Sequence, residues 1–219
     1  MSGLSRYIAF SRDAFLGVFE TYNAAIWPAQ VAAYALCLLA VLLALKSWPG
    51  SGRAVAALLA AAWLWNGVAY HMLQFAKINW AAWIFGFFFV VEGMMLLATG
   101  VLRGRLAFRF TRSAAGWAGL AMIAFALVAY PLIGMIAGQP WPRLALVGVA
   151  PCPTAIFTLG MLLLAEGRVP IHLLVLPLLW SLVGGSAAWL LAIPQDLALP
   201  AAALLTVVLA WRKNRLSRG

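Results

Sequence analysis

Apolar residues run for about 20 positions at a time along this chain, while Gly, Pro, Arg and Asn collect in the short gaps between runs. The runs near 27–46, 54–75, 81–102, 114–137, 145–165 and 171–191 each match the roughly 20 helical residues that cross ~30 Å of hydrocarbon. A shorter run near 197–211 brings the expected total to about seven. The runs lack the two-residue alternation of a barrel, and an isolated strand cannot satisfy its backbone in lipid. The prediction is therefore an all-α, polytopic transmembrane helical bundle.

Residues 1–25 carry Arg6, Arg12, Asp13 and Glu20, and they lack the apolar centre of a cleavable signal peptide. Their apolar positions Leu4, Tyr7, Ile8, Phe15, Val18, Phe19 and Tyr22 recur at helical spacing. That pattern predicts an amphipathic interfacial helix before a transmembrane domain over 26–211 and a basic tail over 212–219.

Charge orients the bundle. With seven spans, one side collects Lys46, Arg53, Arg103, Arg105, Arg109, Arg112, Arg168, Arg212, Lys213, Arg215 and Arg218; the other holds Arg6, Arg12, Lys77 and Arg143. Positive loops stay cytoplasmic, so the N-terminus is expected outside and the C-terminus inside. The net charge of +10 is thereby assigned to orientation and to anionic lipid, and nucleic acid is excluded as a partner. Composition agrees: 66% of the residues are hydrophobic and 9% charged, far from the ~25% charged of soluble domains. Cys37 and Cys152, the two cysteines, make no disulfide framework.

Two echoes suggest duplicated hairpins in parallel orientation. Val68-Ala69-Tyr70 in the second run matches Val128-Ala129-Tyr130 in the fourth, and Gly93-Met94-Met95-Leu96-Leu97-Ala98 in the third matches Gly160-Met161-Leu162-Leu163-Leu164-Ala165 in the fifth. Small residues at Gly134-x-x-x-Gly138 and Gly184-Gly185-Ser186 favour close helix packing.

The candidate chemistry lies mostly on the expected outer side. There Tyr70 and His71 end the second run, Tyr130 nears the end of the fourth, and Gly148-Val149-Ala150-Pro151-Cys152-Pro153-Thr154 opens the fifth. Each proline biases its predecessor away from helix, so the helix is expected to begin at Pro153. Cys152 would then stand at the N-cap with Thr154 beside it, at the positive end of the helix dipole, where thiolate or a bound anion is favoured. The competing reading is a helix start whose cysteine only packs. Irregular backbone at this depth must be buried in protein or line a wet cavity.

Glu92 sits mid-run in FFFVVEGMM, where a carboxylate costs about 2.5–3.5 kcal/mol to insert. It should face the bundle interior, with Asn66, Tyr70, His71 and Ser181 as candidate partners. His172 falls at the opposite end from His71, too far for both to hold one haem. A soft-metal site at Cys152 would need partners such as His71, Met72 or Met161, and the sequence identifies no particular cofactor. A nucleotide loop, a Gly-x-Ser-x-Gly, a His-Glu-x-x-His and a paired-carboxylate set are all missing, so an enzyme is not the expected class.

Tyr22-Asn23, Ile26-Trp27-Pro28-Ala29-Gln30, Tyr70-His71, Phe75-Ala76-x-Ile78-Asn79, Tyr130-Pro131, Gly148 to Thr154, Trp180-Ser181 and Asp196 together resemble an uncharacterised family of bacterial multi-span membrane proteins. The Ala-Pro-Cys-Pro-Thr element is the most specific part. The resemblance implies a bacterial inner-membrane protein of about seven spans and brings no activity. Trp80 departs from it, since a small residue or proline is expected after Asn79.

Three functions compete. The first is binding or transport of a small solute or ion by Cys152, Thr154, His71, Tyr70, Tyr130 and Glu92. The second is an accessory subunit held by membrane-protein partners, and the third a membrane-embedded thiol or metal-dependent redox protein.

Overall fold

The computed structural model of the chain describes residues 10–217, so Leu4, Tyr7 and Ile8 of the expected amphipathic segment lie outside the described residues. It is all-helical, with a single β-bridge between Phe108 and Ala165 among the described residues. The helices are α1 (Arg12–Ala25), α2 (Ala29–Lys46), α3 (Ser51–Lys77), α4 (Ala82–Leu102), α5 (Ala114–Ile136), α6 (Pro151–Leu163), α7 (His172–Leu191) and α8 (Pro194–Leu216). Six of them, α2 to α5 with α7 and α8, are long and apolar enough to cross a membrane. Their ends fall within a few residues of the hydropathy runs.

The fifth run gives a different result. Its helix α6 has 13 residues, about 20 Å of length, and every one of them is buried. A helix apolar all round belongs at the centre of a bundle, and α6 is packed by α3, α5, α7 and α8. The longer helices instead expose Leu, Trp and Phe on one side, as lipid-facing helices do.

The helix begins two residues earlier than the proline rule predicts. Ala150 is extended at φ −120° and ψ 142° and forms the N-cap, while Cys152 is already helical. The first N–H groups of a helix have no intrahelical partner, so Pro151 and Pro153 both fit its first turn without losing a bond. The first backbone bond runs from Thr154 N to Ala150 O at 3.3 Å.

Helix α1 is fastened to the bundle. Ser11 caps it by accepting from Ala14 N at 3.1 Å, and Asp13 favours the first turn. Its inner face buries Leu16, Phe19, Tyr22 and Asn23. Asn23 Nδ2 donates to the carbonyls of Pro142 (2.6 Å) and Leu144 (2.8 Å), and Tyr22 donates to Val149 O at 2.9 Å. Arg143 pairs with Glu20 at 2.7 Å. These bonds hold the irregular stretch before α6 in place.

The two echoed hairpins pack alike. A Cβ added at Gly93 would meet Ala60 O (3.1 Å) and Leu64 (2.7 Å), and one at Gly160 would meet Gly119 O (2.8 Å) and Ile123 (3.0 Å). The two stretches that carry Tyr70 and precede Tyr130 are also both π-helical, over Asn66–Met72 and Phe125–Ala129. In the first, Asn66 Nδ2 donates to Ala62 O at 2.8 Å, which widens the turn.

At the opposite end several basic residues make specific contacts. Lys213 Nζ donates to Leu163 O at 3.0 Å, satisfying a C-terminal carbonyl of α6. Arg109 pairs with Glu166 at 2.8 Å, and His172 Nε2 meets Thr99 Oγ1 at 2.9 Å. Trp80 is exposed, and the turn beside it closes through Asn79, whose side chain accepts from Ala81 N at 3.1 Å.

Candidate functional site

The break before α6 is a polar crossing of several segments. Gly148 adopts φ +85°, and a Cβ there would stand 2.9 Å from Ala33 of α2. Its N–H donates to Thr154 Oγ1 at 2.9 Å and its carbonyl accepts from Asn66 Nδ2 at 3.1 Å. Thr154 Oγ1 in turn donates to Ala150 O at 2.6 Å. The Thr154 hydroxyl is thus engaged in holding the break closed. Its side chain borders a small apolar cavity of about 200 Å³ beside Cys37 and Trp65.

A second cavity, of about 340 Å³, opens on the other side of the break. Tyr70 and His71 of α3, Tyr130 of α5, Cys152 of α6 and Asp196 at the start of α8 reach it. Phe10, Phe15 and Phe19 cover it from the α1 side, and Trp180 with Gly184 and Ser186 closes it along α7. The Tyr130 hydroxyl donates to Asp196 Oδ1, and the Cys152 thiol has Asp196 and Trp180 as neighbours. Gly184 makes room for the sulfur: a Cβ there would lie 3.3 Å from Cys152 Sγ.

His71 is 0% exposed, and neither of its ring nitrogens has a hydrogen-bond partner among the described residues. Rings surround it instead, Phe89 at 4.7 Å and Tyr70 and Trp180 at 5.1 Å between centroids. Trp180 Nε1 is buried as well, with the weakly accepting Cys152 sulfur as its neighbour. Leaving such groups unpaired costs roughly 1–3 kcal/mol each.

Of the residues expected from the sequence, the fold brings together Tyr70, His71, Tyr130 and Cys152. Thr154 supports that group from behind. Glu92 stands apart, lining neither of these two cavities. Its carboxyl is fully buried with both oxygens unpartnered, one turn along α4 from Phe89, whose ring packs between His71 and Trp63. From the sequence, Asp196 and Trp180 were named only among the residues that carry the family resemblance, and neither was selected for the site. The signal for Asp196 was its carboxylate beside an apolar run; its partner Tyr130 lies 66 residues away and cannot be read from spacing.

Among the described residues, no group of three or more His, Cys, Asp or Glu is placed to hold a metal ion. Cys152, His71 and Asp196 line one cavity but are not placed as a metal-holding group.

Six long apolar helices around a buried short one, with polar groups gathered at the central break, define a membrane-embedded helical protein. No curated protein and no solved structure matches the chain. The chain belongs to the family of unknown function DUF6064, whose sequence profile matches residues 12–219.

Proposed function

We propose that the protein binds a small solute in the cavity between Tyr70, His71, Tyr130, Cys152 and Asp196, as the binding step of a carrier in a bacterial inner membrane. The observation that carries this reading is His71, completely buried on the wall of a cavity with both ring nitrogens unpartnered. A core histidine pays for its burial by hydrogen bonding; this one is positioned to do so with a guest. The cavity volume falls in the range of small-molecule sites, about 300–1,000 Å³.

Charge gives the direction. The basic loops and tail lie at the end of the bundle opposite α1, which the positive-inside rule makes cytoplasmic. The cavity then faces outward beneath α1. Glu92, deeper and also unpartnered, is the acid we assign to coupling occupancy with protonation, because intramembrane carboxyls are costly without such a role.

The test uses the full-length protein with Cys37→Ala, leaving Cys152 as its thiol. Small uncharged methyl methanethiosulfonate is expected to modify Cys152 in the folded protein. An impermeant thiosulfonate should do so only from the α1 side of oriented vesicles. A thiol that stays unmodified by either reagent until the chain is unfolded defeats the reading.

A further inference from the structure

We propose that the solute is a small organic cation, an amine or quaternary ammonium that also carries a hydroxyl, with Asp196 as counter-ion and aromatic rings as its cage. This rests on the reading of the cavity as a solute site.

Charge is the first argument. Asp196 lines the cavity, while no Lys or Arg among the described residues does. The basic side chains described at this end have other partners: Arg12 donates to Ala137 O at 3.3 Å, Lys77 to Gln74 Oε1 at 2.7 Å, and Arg143 to Glu20 at 2.7 Å. An anionic guest would therefore face a carboxylate with no compensating cation among the described lining residues, at a dielectric low enough to make that repulsion severe. A cation meets the opposite sign.

The second argument is the wall. Phe19 stacks on Tyr70 at 5.0 Å, Tyr70 on Phe75 at 5.9 Å, and Phe85 meets Trp180 edge-on at 5.6 Å. Ring faces attract cations within about 6 Å of the centroid, and clustered rings are the usual cage for alkylated ammonium. Simple apolar filling would need no carboxylate among them.

The unpartnered polar atoms supply the third. An imidazole offers one acceptor and one donor, and an indole N–H is a donor only. Acceptors on His71 and Asp196 suit the hydrogens of an amine or the polarised methyls of a quaternary ammonium. The indole N–H of Trp180, with only the weakly accepting Cys152 sulfur beside it, can donate to an oxygen on the same guest. The volume of about 340 Å³ equals roughly eleven waters at ~30 Å³ each, enough for a molecule of this size.

The experiment measures protection of Cys152 against methyl methanethiosulfonate in the full-length Cys37→Ala protein. Three probes of one shape are compared: choline, its neutral carbon isostere 3,3-dimethylbutan-1-ol, and the anion 3,3-dimethylbutanoate. Choline is expected to halve the modification rate at a concentration at least tenfold below that of the alcohol, and the anion to give no protection. Asp196→Asn, which keeps an acceptor for Tyr130, should remove the choline preference while unfolding at an unchanged denaturant concentration. Equal protection by the alcohol, or better protection by the anion, overturns the cation assignment and leaves the solute site standing. Modification that none of the three slows also overturns it. A Cys152 that the reagent never reaches removes the site itself.

Discussion

Replacing His71 with leucine tests whether the imidazole belongs to the core or to a guest. The two side chains have similar volume, so the surrounding rings of Tyr70, Phe89 and Trp180 need not move far. The substitution removes two buried polar atoms that have no partner among the described residues. Each such atom costs about 1–3 kcal/mol, and leucine adds favourable packing in their place. If cavity water serves one nitrogen, the other still remains. The guest-free variant should therefore be more stable than the parent by about 1–3 kcal/mol, read as a higher midpoint in mixed-micelle unfolding followed by tryptophan fluorescence. Protection of Cys152 by choline should at the same time fall at least tenfold. Stability gained together with binding lost is the signature of a functional site kept at the expense of the fold. A loss of 2–5 kcal/mol, the range for disrupted cores, would mean that His71 is satisfied within the protein, and it would refute the reasoning.

Three further outcomes follow from the same geometry. Thr154→Val strips Gly148 N of its acceptor and should cost about 1–3 kcal/mol in the same unfolding assay, whereas Thr154→Ser should cost under 1 kcal/mol; a fully stable valine variant that loses choline protection would make Thr154 a ligand contact instead. Gly185→Ala puts a Cβ 2.3 Å from Pro200 Cγ, so α7 and α8 must part, at about 1–3 kcal/mol; an unchanged midpoint would show that the pair is loosely packed. Burial holds the Tyr22 hydroxyl well above its ordinary 10, even though Trp65 donates to it. Above pH 10 the unfolded chain loses this proton first, so stability should fall as pH rises beyond 10, and Tyr22→Phe should flatten that part of the profile. A Tyr22→Phe protein with an identical alkaline profile would count against that assignment.

The hydropathy runs located the long helices to within a few residues because spanning length and apolar composition are local properties. The central position of α6 was legible only in part. Its segment Pro151–Leu163 has no polar face, but α2 is almost as apolar and exposes much of its surface, so composition alone does not separate buried from lipid-facing helices. The helix start was missed by two residues because the proline rule describes a pairwise steric bias, and the first-turn geometry overrides it at Cys152. The π-helical stretches before Tyr70 and Tyr130 leave no periodic trace. The first depends on where the Asn66 amide finds Gly148, 82 residues away. Tyr70, His71, Tyr130 and Cys152 were found because polar residues near apolar runs stand out. Asp196 and Trp180 were not chosen, since only tertiary packing sets them beside the thiol.

The treatment of polar groups differs between the two faces of the break, and the contrast bears on function. On the side of Gly148, side chains serve the irregular backbone at four residues: Asn66 and Thr154 bond Gly148, Tyr22 bonds Val149, and Asn23 bonds Pro142 and Leu144. Beyond Cys152, His71 keeps both ring nitrogens without partners, and Glu92 keeps both oxygens unpaired behind the ring of Phe89 that packs against His71 and Trp180. If these groups served packing alone, apolar residues would hold the bundle better. Among the unpartnered atoms, those of His71 are the ones that line the larger cavity at the break with no acceptor or donor of the described residues beside them, as expected where the missing partner comes from outside the chain.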